Sequence, residues 1–524
     1  MSDNVQGNGQ EFGKLRKIFF PLYMYELKKA IPMGLIFFCI LFNYTCLRNV
    51  KDSLVVTGSA AEVIPFLKSF CVAPSAIIFM VLYAKASNIF TNEQLFYATL
   101  TPFLLFFGCF AFLIYPNIDV LHPSEETIAS WLAACPESIQ ESLKFPIMII
   151  GNWSYSLFYI LAEIWGAALL SLSFWQFANQ ITKTSEAKRM YAFFAMMAQF
   201  SVLLEGKVGE WCSDIRQNFP AGHEAEAWGL SLKYMMGTVV VLGILTMLVY
   251  HWIYRYVLTD KRFYDKPELP GNNKKKKKMP LIQSFKIIFT SPYLGLIAAL
   301  VICYGISVNL VEGLWKKQIG MQYPNPNDYN TFMNQFTFYG GIVSLIMLII
   351  GGNILRLCRW FTAAVATPIV LLILGGLFFG FVIFRDSIAQ VLPDNLTPVY
   401  CAVMLGALVV MFSKAVKYAL FDLTKEMAYI PLDEEMKVKG KAVVDVVGGR
   451  LGKGGGAIIQ SGLLMLLPTI SGWFPALSLP KKGDLLTLAP YTFAIFLFIC
   501  LLWILSVKAL SPRVEAATAA QAQK

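Results

Sequence analysis

Four stretches of this chain place ionisable side chains among apolar neighbours. The first is Tyr44-Thr45-Cys46-Leu47-Arg48-Asn49-Val50-Lys51-Asp52-Ser53, which closes an apolar run beginning near Ile31. At helical spacing Tyr44, Arg48 and Lys51 share one face. A lysine or arginine at the centre of a membrane helix costs on the order of 3 kcal/mol on insertion scales. The pair therefore either marks a helix end and snorkels to the headgroups, or forms a cationic face on a water-filled cavity that takes an anion. The second stretch runs from Gly151 to Gly166, where Asn152, Tyr155, Tyr159, Glu163 and Gly166 recur at three- and four-residue steps and form one polar-aromatic stripe. A lone intramembrane carboxylate is protonated or paired with a cation, so Glu163 is either a tie to a neighbouring helix or part of the site. In the third stretch Asn309, Glu312 and Lys316 share a face, with a Glu-Lys pair at i,i+4 that can also mark a helix end.

The fourth stretch is Asp445-Val446-Val447-Gly448-Gly449-Arg450-Leu451-Gly452-Lys453-Gly454-Gly455-Gly456. It invites a phosphate-loop reading that fails. The first glycine of GxxxxGK[ST] would fall on Val447, Gly454 replaces the magnesium-binding hydroxyl, and no strand precedes. What remains is glycines that admit close backbone approach beside Arg450 and Lys453. That suits phosphate oxygens, the favoured reading, or packing of helices through small residues.

These four stretches need elements to hold them. Of 524 residues 56% are hydrophobic and 15% charged, with a mean hydropathy of +0.57; this is a polytopic membrane protein. The net charge of +11 and pI near 9.0 follow from basic loops and need no nucleic acid. The ten cysteines show no CxxC pair or Cys/His cluster, and only His122, His223 and His251 are available. Neither a metal site, a disulfide framework, a cofactor nor histidine catalysis is indicated. The polar N-terminus has no signal-peptide pattern, so the first helix is expected to direct insertion.

Apolar runs over 31–50, 63–84, 95–115, 146–178, 188–210, 230–256, 285–312, 331–354, 361–384, 398–420, 441–470 and 488–510 predict twelve transmembrane helices. Lys183, Lys188, Arg189, Arg356, Arg359 and Lys425 fall on alternate loops, whereas Glu125, Glu126, Glu210 and Asp214 fall on the others. The bias puts both termini in the cytoplasm. The expected organisation is a cytoplasmic segment (1–30), a six-helix half (31–258), a linker (259–282), a second half (283–510) and a cytoplasmic tail (511–524). The linker, with five consecutive lysines, reads as a solvated connector in preference to a lipid-binding patch. An internal repeat supports the two halves. Phe177 to Lys183 is similar to Leu420 to Glu426, and Glu205-Gly206-Lys207-Val208-Gly209 to Leu451-Gly452-Lys453-Gly454-Gly455. The fold class expected is thus all-α, integral membrane and major-facilitator-like, with a substrate site between the halves. In that arrangement the first, fourth and seventh spans line the central cavity. Charge in all three favours the cavity reading of Lys51.

The motifs Leu47-Arg48-Asn49-Val50-Lys51-Asp52, Ala162-Glu163-Ile164-Trp165-Gly166, Phe177 to Thr182 and Leu451-Gly452-Lys453-Gly454-Gly455 resemble the non-mitochondrial ATP/ADP translocases of chlamydiae, rickettsiae and plastids, and with no transit-peptide pattern the chain looks like a chlamydia-type bacterial member. The resemblance covers nearly the whole chain. It implies ATP/ADP counter-exchange at the inner membrane of an intracellular bacterium, with the functional charges on Lys51, Glu163, Glu312 and Lys453. Asn49 departs from the family's usual acidic residue there, which would leave the site more positive by one charge. The expectation is a monomeric nucleotide antiporter working by alternating access. Lys51, Lys453 and Arg48 would hold phosphates, and Tyr155 or Tyr159 would stack on the base. Broad-range exchange and proton-coupled import through Glu163 or Glu312 are the alternatives. A membrane enzyme acting on a phosphorylated lipid is a distant one, disfavoured by the scarcity of histidine.

Overall fold

A computed structural model describes residues 22–23, 26–182, 184–259, 291–432, 441, 444 and 448–522, and among them it is helical without strands. Inside a bilayer only intra-helical hydrogen bonding satisfies the backbone of each span. Twelve long helices result: α1 Leu27–Gly58, α2 Val63–Ala86, α3 Asn92–Leu121, α4 Trp153–Ile181, α5 Thr184–Ser213, α6 Glu224–Tyr256, α7 Pro292–Gln322, α8 Pro326–Leu357, α9 Trp360–Ile383, α10 Pro398–Tyr429, α11 Gly449–Trp473 and α12 Ala489–Ala522. Eleven are long and apolar enough to cross a membrane by composition, and α5 matches them in length but carries Glu186, Glu205, Lys207 and Glu210. Sequence sets several starts. Ser291-Pro292, Asn325-Pro326 and Thr397-Pro398 open α7, α8 and α10, each with a side-chain oxygen accepting a first-turn N–H and proline where no donor is needed.

Three expected boundaries move, and each move matters. Helix α1 runs on to Gly58 and α7 to Gln322, so Arg48, Lys51, Glu312 and Lys316 lie within helices and mark no ends. The fourth apolar run is broken at Asn152, the non-helical junction between a surface helix, Glu137–Gly151, and α4. The linker expected over 259–282, apart from Thr259, falls outside the described residues, as do Asp445 and most of the N-terminal segment.

The two halves repeat one packing scheme. Helix α1 packs on α4, α5 and α6, and α7 packs on α10, α11 and α12 in the same way. Each half has its own apolar core, one around Phe107, Phe158 and Trp165, the other around Trp315, Phe378 and Trp503. A buried tryptophan fastens the first helix of each half to the fourth. Trp165 Nε1 donates to Ile40 O at 3.2 Å, and Trp315 Nε1 to Val403 O at 2.9 Å. Among the described residues, four of the long helices contain a π-helical turn: Leu67–Val72 in α2, Phe110–Ile114 in α3, Gly166–Phe174 in α4 and Lys417–Phe421 in α10.

Between the halves, α8 packs along α5 and α1, and α11 along α2. The α8 contact is a row of neutral polar groups flanked by charged ones, Gln335 with Glu210, Thr331 with Asp214 and Asp328 with Arg216. Asn49 Nδ2 donates to Asn334 Oδ1 at 2.7 Å and Ser53 Oγ to Asn330 Oδ1 at 3.1 Å, while Asn330 and Asn327 reach Ser213 and Ser231. Gly206 and Gly209 let α5 come close enough; a Cβ on Gly209 would lie 2.5 Å from the Asn334 amide. At the same end the 137–151 helix is tied to α11, with Ser142 Oγ 2.5 Å from Thr469 Oγ1. At the opposite end α2 has no buried residue over Ala73–Ala86. The halves are closed at the end carrying Gly58 and Pro326, while towards the other Arg450 of α11 reaches Met80 of the more exposed part of α2.

Candidate anion site between the halves

Lys51 is buried, with its ammonium 2.9 Å from Asp52 Oδ1 and 3.0 Å from Glu163 Oε1, and 3.9 Å from the centroid of the Tyr159 ring. Asp52 also reaches across the halves, where its Oδ2 is 2.8 Å from Lys316 Nζ on α7. Lys51, Asp52 and Lys316 are nearly sealed, at 3%, 3% and 7% side-chain exposure. The expected i,i+4 pairing of Glu312 with Lys316 does not form. Lys316 is drawn to Asp52, and Glu312 pairs with Lys414 on α10 at 3.2 Å. These last two side chains are open, at 19% and 32% exposure.

Further along the same face of α7, Asn309 Oδ1 accepts from Lys68 Nζ at 3.0 Å. Arg48 is half-buried and makes no ion pair or hydrogen bond among the described residues; Glu312, Asp52 and Glu205 are the carboxyls within reach of its charge. Lys453 is exposed and also without a described partner, and Arg450 reaches the Met80 sulfur on α2. At about 1.5 Å per residue, Asn309, Glu312 and Lys316 spread charge contacts over about 10 Å of one helix. Beyond them, towards the closed end, Lys317 Nζ meets Glu62 Oε1 at 2.7 Å and Asp484 Oδ1 at 3.3 Å. Burial pushes the Glu62 carboxyl up. For Asp484 burial acts the same way, but the hydrogen bond with Glu62 and the Lys317 ammonium outweigh it and hold that carboxyl low.

Lys51 and Glu163 are thus brought together as expected for a paired intramembrane carboxylate. The other members of the stripe separate. The Tyr159 ring is covered by Lys51, Tyr155 packs on Gly58 near the closed end, and Asn152 forms the junction before α4. Tyr44 is half-buried against Gly166. Asn49 turns away from Lys51 onto α8, so it changes the seam between the halves, and Asp52 supplies the acid beside Lys51. The glycines of α11 divide. Gly452 and Gly456 abut Gly305 and Asn309 of α7, which is helix packing, while Gly449 and Gly454 face open space. Asp52 as the bridging acid, Lys68 and Lys414 are additions that the sequence reading missed. Lys68 and Lys414 were available to the same rule, being charges within the second and tenth apolar runs.

Comparison with known proteins accords with this geometry. The sequence profile of the TLC ATP/ADP transporter family matches residues 5–513. The chain is 47% identical over 517 residues to an ADP,ATP carrier protein 1 of Chlamydia muridarum, spanning 98% of this chain and 93% of that one. It is 45% identical to its Rickettsia conorii namesake, over 97% of each chain. With the chloroplastic ADP,ATP carrier protein 1 of Arabidopsis thaliana it shares 42%, over 92% of this chain and 73% of that one. Solved structures of the nucleoside transporter NupG (TM-score 0.52, 8% identity, covering 92% and 99%) and of a bacterial homologue of the iron transporter ferroportin (TM-score 0.55, 12% identity, covering 92% and 100%) share the major-facilitator-like fold. With a profile that spans almost every residue and relatives this similar end to end, the chain belongs to the TLC ATP/ADP transporter family.

Proposed function

We propose that the protein exchanges ATP for ADP by alternating access, importing ATP into an intracellular bacterium across its inner membrane. The observation that carries the reading is Asp52 held between Lys51 of one half and Lys316 of the other. A carboxylate there satisfies two cations in the middle of the protein, and an incoming phosphate offers them the same chemistry. Parting the halves breaks this bridge, and stranded charges are costly to dehydrate when the protein recloses. A bound nucleotide removes that cost, so reorientation is tied to occupancy and exchange results. Lys51, Lys453 and Arg48 supply phosphate contacts, and Glu163 and Glu312 keep the cations paired when substrate is absent. The basic loops support cytoplasmic termini, which would turn the closed end away from the cytoplasm. Nothing in this cycle requires a second copy of the chain.

Glu163 and Glu312 are each held by a lysine, which weighs against either as a proton carrier. The test is uptake of labelled ATP into proteoliposomes with and without internal ADP, over a panel of nucleotides. Exchange requires internal nucleotide. Uptake into empty vesicles that follows an imposed pH gradient would overturn it, and the panel ranks the bases.

A further inference from the structure

The charges between the halves separate into two centres of different character. In the sealed one, Lys51 and Lys316 are matched by the buried Asp52, and Lys51 also by Glu163, whose side chain is 30% exposed towards the other centre's Lys68. In the open one, Arg48, Lys68 and Lys414 surround Glu312, with Glu205 also within reach of Arg48 and Glu163 within reach of Lys68. The three cations come from α1, α2 and α10, and therefore from both halves. Each is held loosely. Among the described residues Lys414 has Glu312 at 3.2 Å, Lys68 hydrogen-bonds the neutral Asn309 amide, and Arg48 has no hydrogen-bonded or ion-paired partner. Two of the three sit at irregular backbone. Lys68 lies in the π-helical turn of α2 and Lys414 three residues before that of α10, and such turns recur at functional sites.

From this arrangement we infer that Arg48, Lys68 and Lys414 form a phosphoryl-binding site on the open side of the protein, with Glu312 as the counter-ion that a bound phosphate displaces from Lys414. The inference deepens the exchange reading and rests on it. Positive charge that lacks a partner is concentrated here, whereas the anion place between Lys51 and Lys316 is filled by Asp52. Because Lys68 and Lys414 are the more exposed, the terminal phosphates of a nucleotide meet them first. The Lys51–Lys316 centre becomes available when Asp52 lets go. A guanidinium fork and two flexible ammonium groups suit the several oxygens of a terminal phosphate. Free phosphate presents the same chemistry.

The experiment holds the closed end shut and measures binding. Ser142→Cys and Thr469→Cys, whose native hydroxyls are 2.5 Å apart, are oxidised to a disulfide in the full-length protein. ADP, AMP, adenosine and inorganic phosphate are then titrated by calorimetry. The locked protein binds ADP more tightly than AMP and AMP more tightly than adenosine. Lys68→Gln and Lys414→Gln each weaken ADP by about tenfold or more and flatten that gradient, leaving adenosine unchanged. Lys414→Arg restores the gradient in part, and Lys207→Gln, on α5 outside the site, changes nothing. Free phosphate binding as tightly as ADP with the same lysine dependence assigns the site to phosphate itself. Much weaker binding assigns it to the nucleotide. Full ADP affinity and an intact gradient in folded Lys68→Gln and Lys414→Gln proteins overturn the inference. Absence of nucleotide binding in the unlocked wild-type protein overturns the exchange reading instead.

Discussion

Glu163 and Lys414 occupy equivalent places with opposite charge. Each stands three residues before a π-helical turn on the fourth helix of its half, and each is paired with the first helix of that half. In the N-terminal half the cation, Lys51, is on the first helix and the anion on the fourth, and in the C-terminal half the polarity is reversed through Glu312. The repeated scaffold therefore carries an inverted electrostatic pattern. An anion between the halves meets a lysine from each, backed by different helices.

Asp52→Asn should be more damaging than its size suggests. The buried carboxylate joins Lys51 to Lys316, and its neutralisation leaves Lys316 without a carboxylate within ion-pairing range among the described residues. Breaking one side of a buried pair costs about 3–5 kcal/mol. The expected result is a lowered unfolding temperature and exchange reduced at least tenfold. Asp52→Asn combined with Lys316→Gln should recover much of the thermal stability without recovering exchange. Equal stability of the single and double variants would rule out the bridge as the cause.

Lys51→Gln removes the partner of Glu163 and Asp52 together. Exchange should fall to background with the protein still inserted and folded. Lys51→Arg should rescue it only weakly, because a planar guanidinium cannot place its charge at the single point that meets two carboxylates and the Tyr159 ring. Transport assays alongside size-exclusion profiles decide the matter, and substantial exchange by Lys51→Gln would remove it from the substrate path.

The amide seam can be probed without touching charge. Asn334→Ala deprives Asn49 of its nearer acceptor, and the closed end should open more often. Cys212, buried on α5 three residues beyond Gly209, is a native reporter. Its maleimide labelling, followed by mass spectrometry, should accelerate several-fold, to the same extent in low and high salt because no ion pair is lost. An unchanged labelling rate would mean that the seam does not control opening.

Glycines on α7 and α11 give opposite outcomes under one substitution. A Cβ on Gly305 of α7 would lie 2.6 Å from the Gly452 backbone, so Gly305→Ala should cost about 1–3 kcal/mol. Gly454 has nothing within 4 Å, and Gly454→Ala should stabilise the helix by about 0.5–1 kcal/mol. Unfolding temperatures measure both. Destabilisation by Gly454→Ala would show that a neighbour or ligand approaches there.

Much of this was legible in the sequence for a physical reason: lipid forces apolar runs of a fixed length, so the helices and the two-half arrangement are written in composition. Lys51 and Glu163 could be picked out because charges inside such runs are expensive. Pairing was not legible. Nothing in the spacing of Glu312 and Lys316 says that each prefers a partner on another helix, since that depends on how α1, α7 and α10 lie side by side. The helix ends also misled. A charge at the edge of an apolar run looks like a boundary, yet α1 continues to Gly58 and carries Lys51 into the interior. Asn49 shows the same limit, for it stands two residues from Lys51 in sequence but its neighbours in space belong to α8.

The seam of asparagines and serines along α8 separates two tasks that a simpler design would merge. Hydrogen bonds between uncharged groups, with the Arg216–Asp328 and Lys317–Glu62 ion pairs beside them, hold the closed end apart from the charges proposed to meet the cargo, and they are indifferent to whether it carries three negative charges or four. Recognition can then respond fully to phosphate number while the seal keeps one strength for every substrate. A carrier built this way meets similar resistance whether loaded with diphosphate or triphosphate, so the direction of net flow is left to the concentrations on either side.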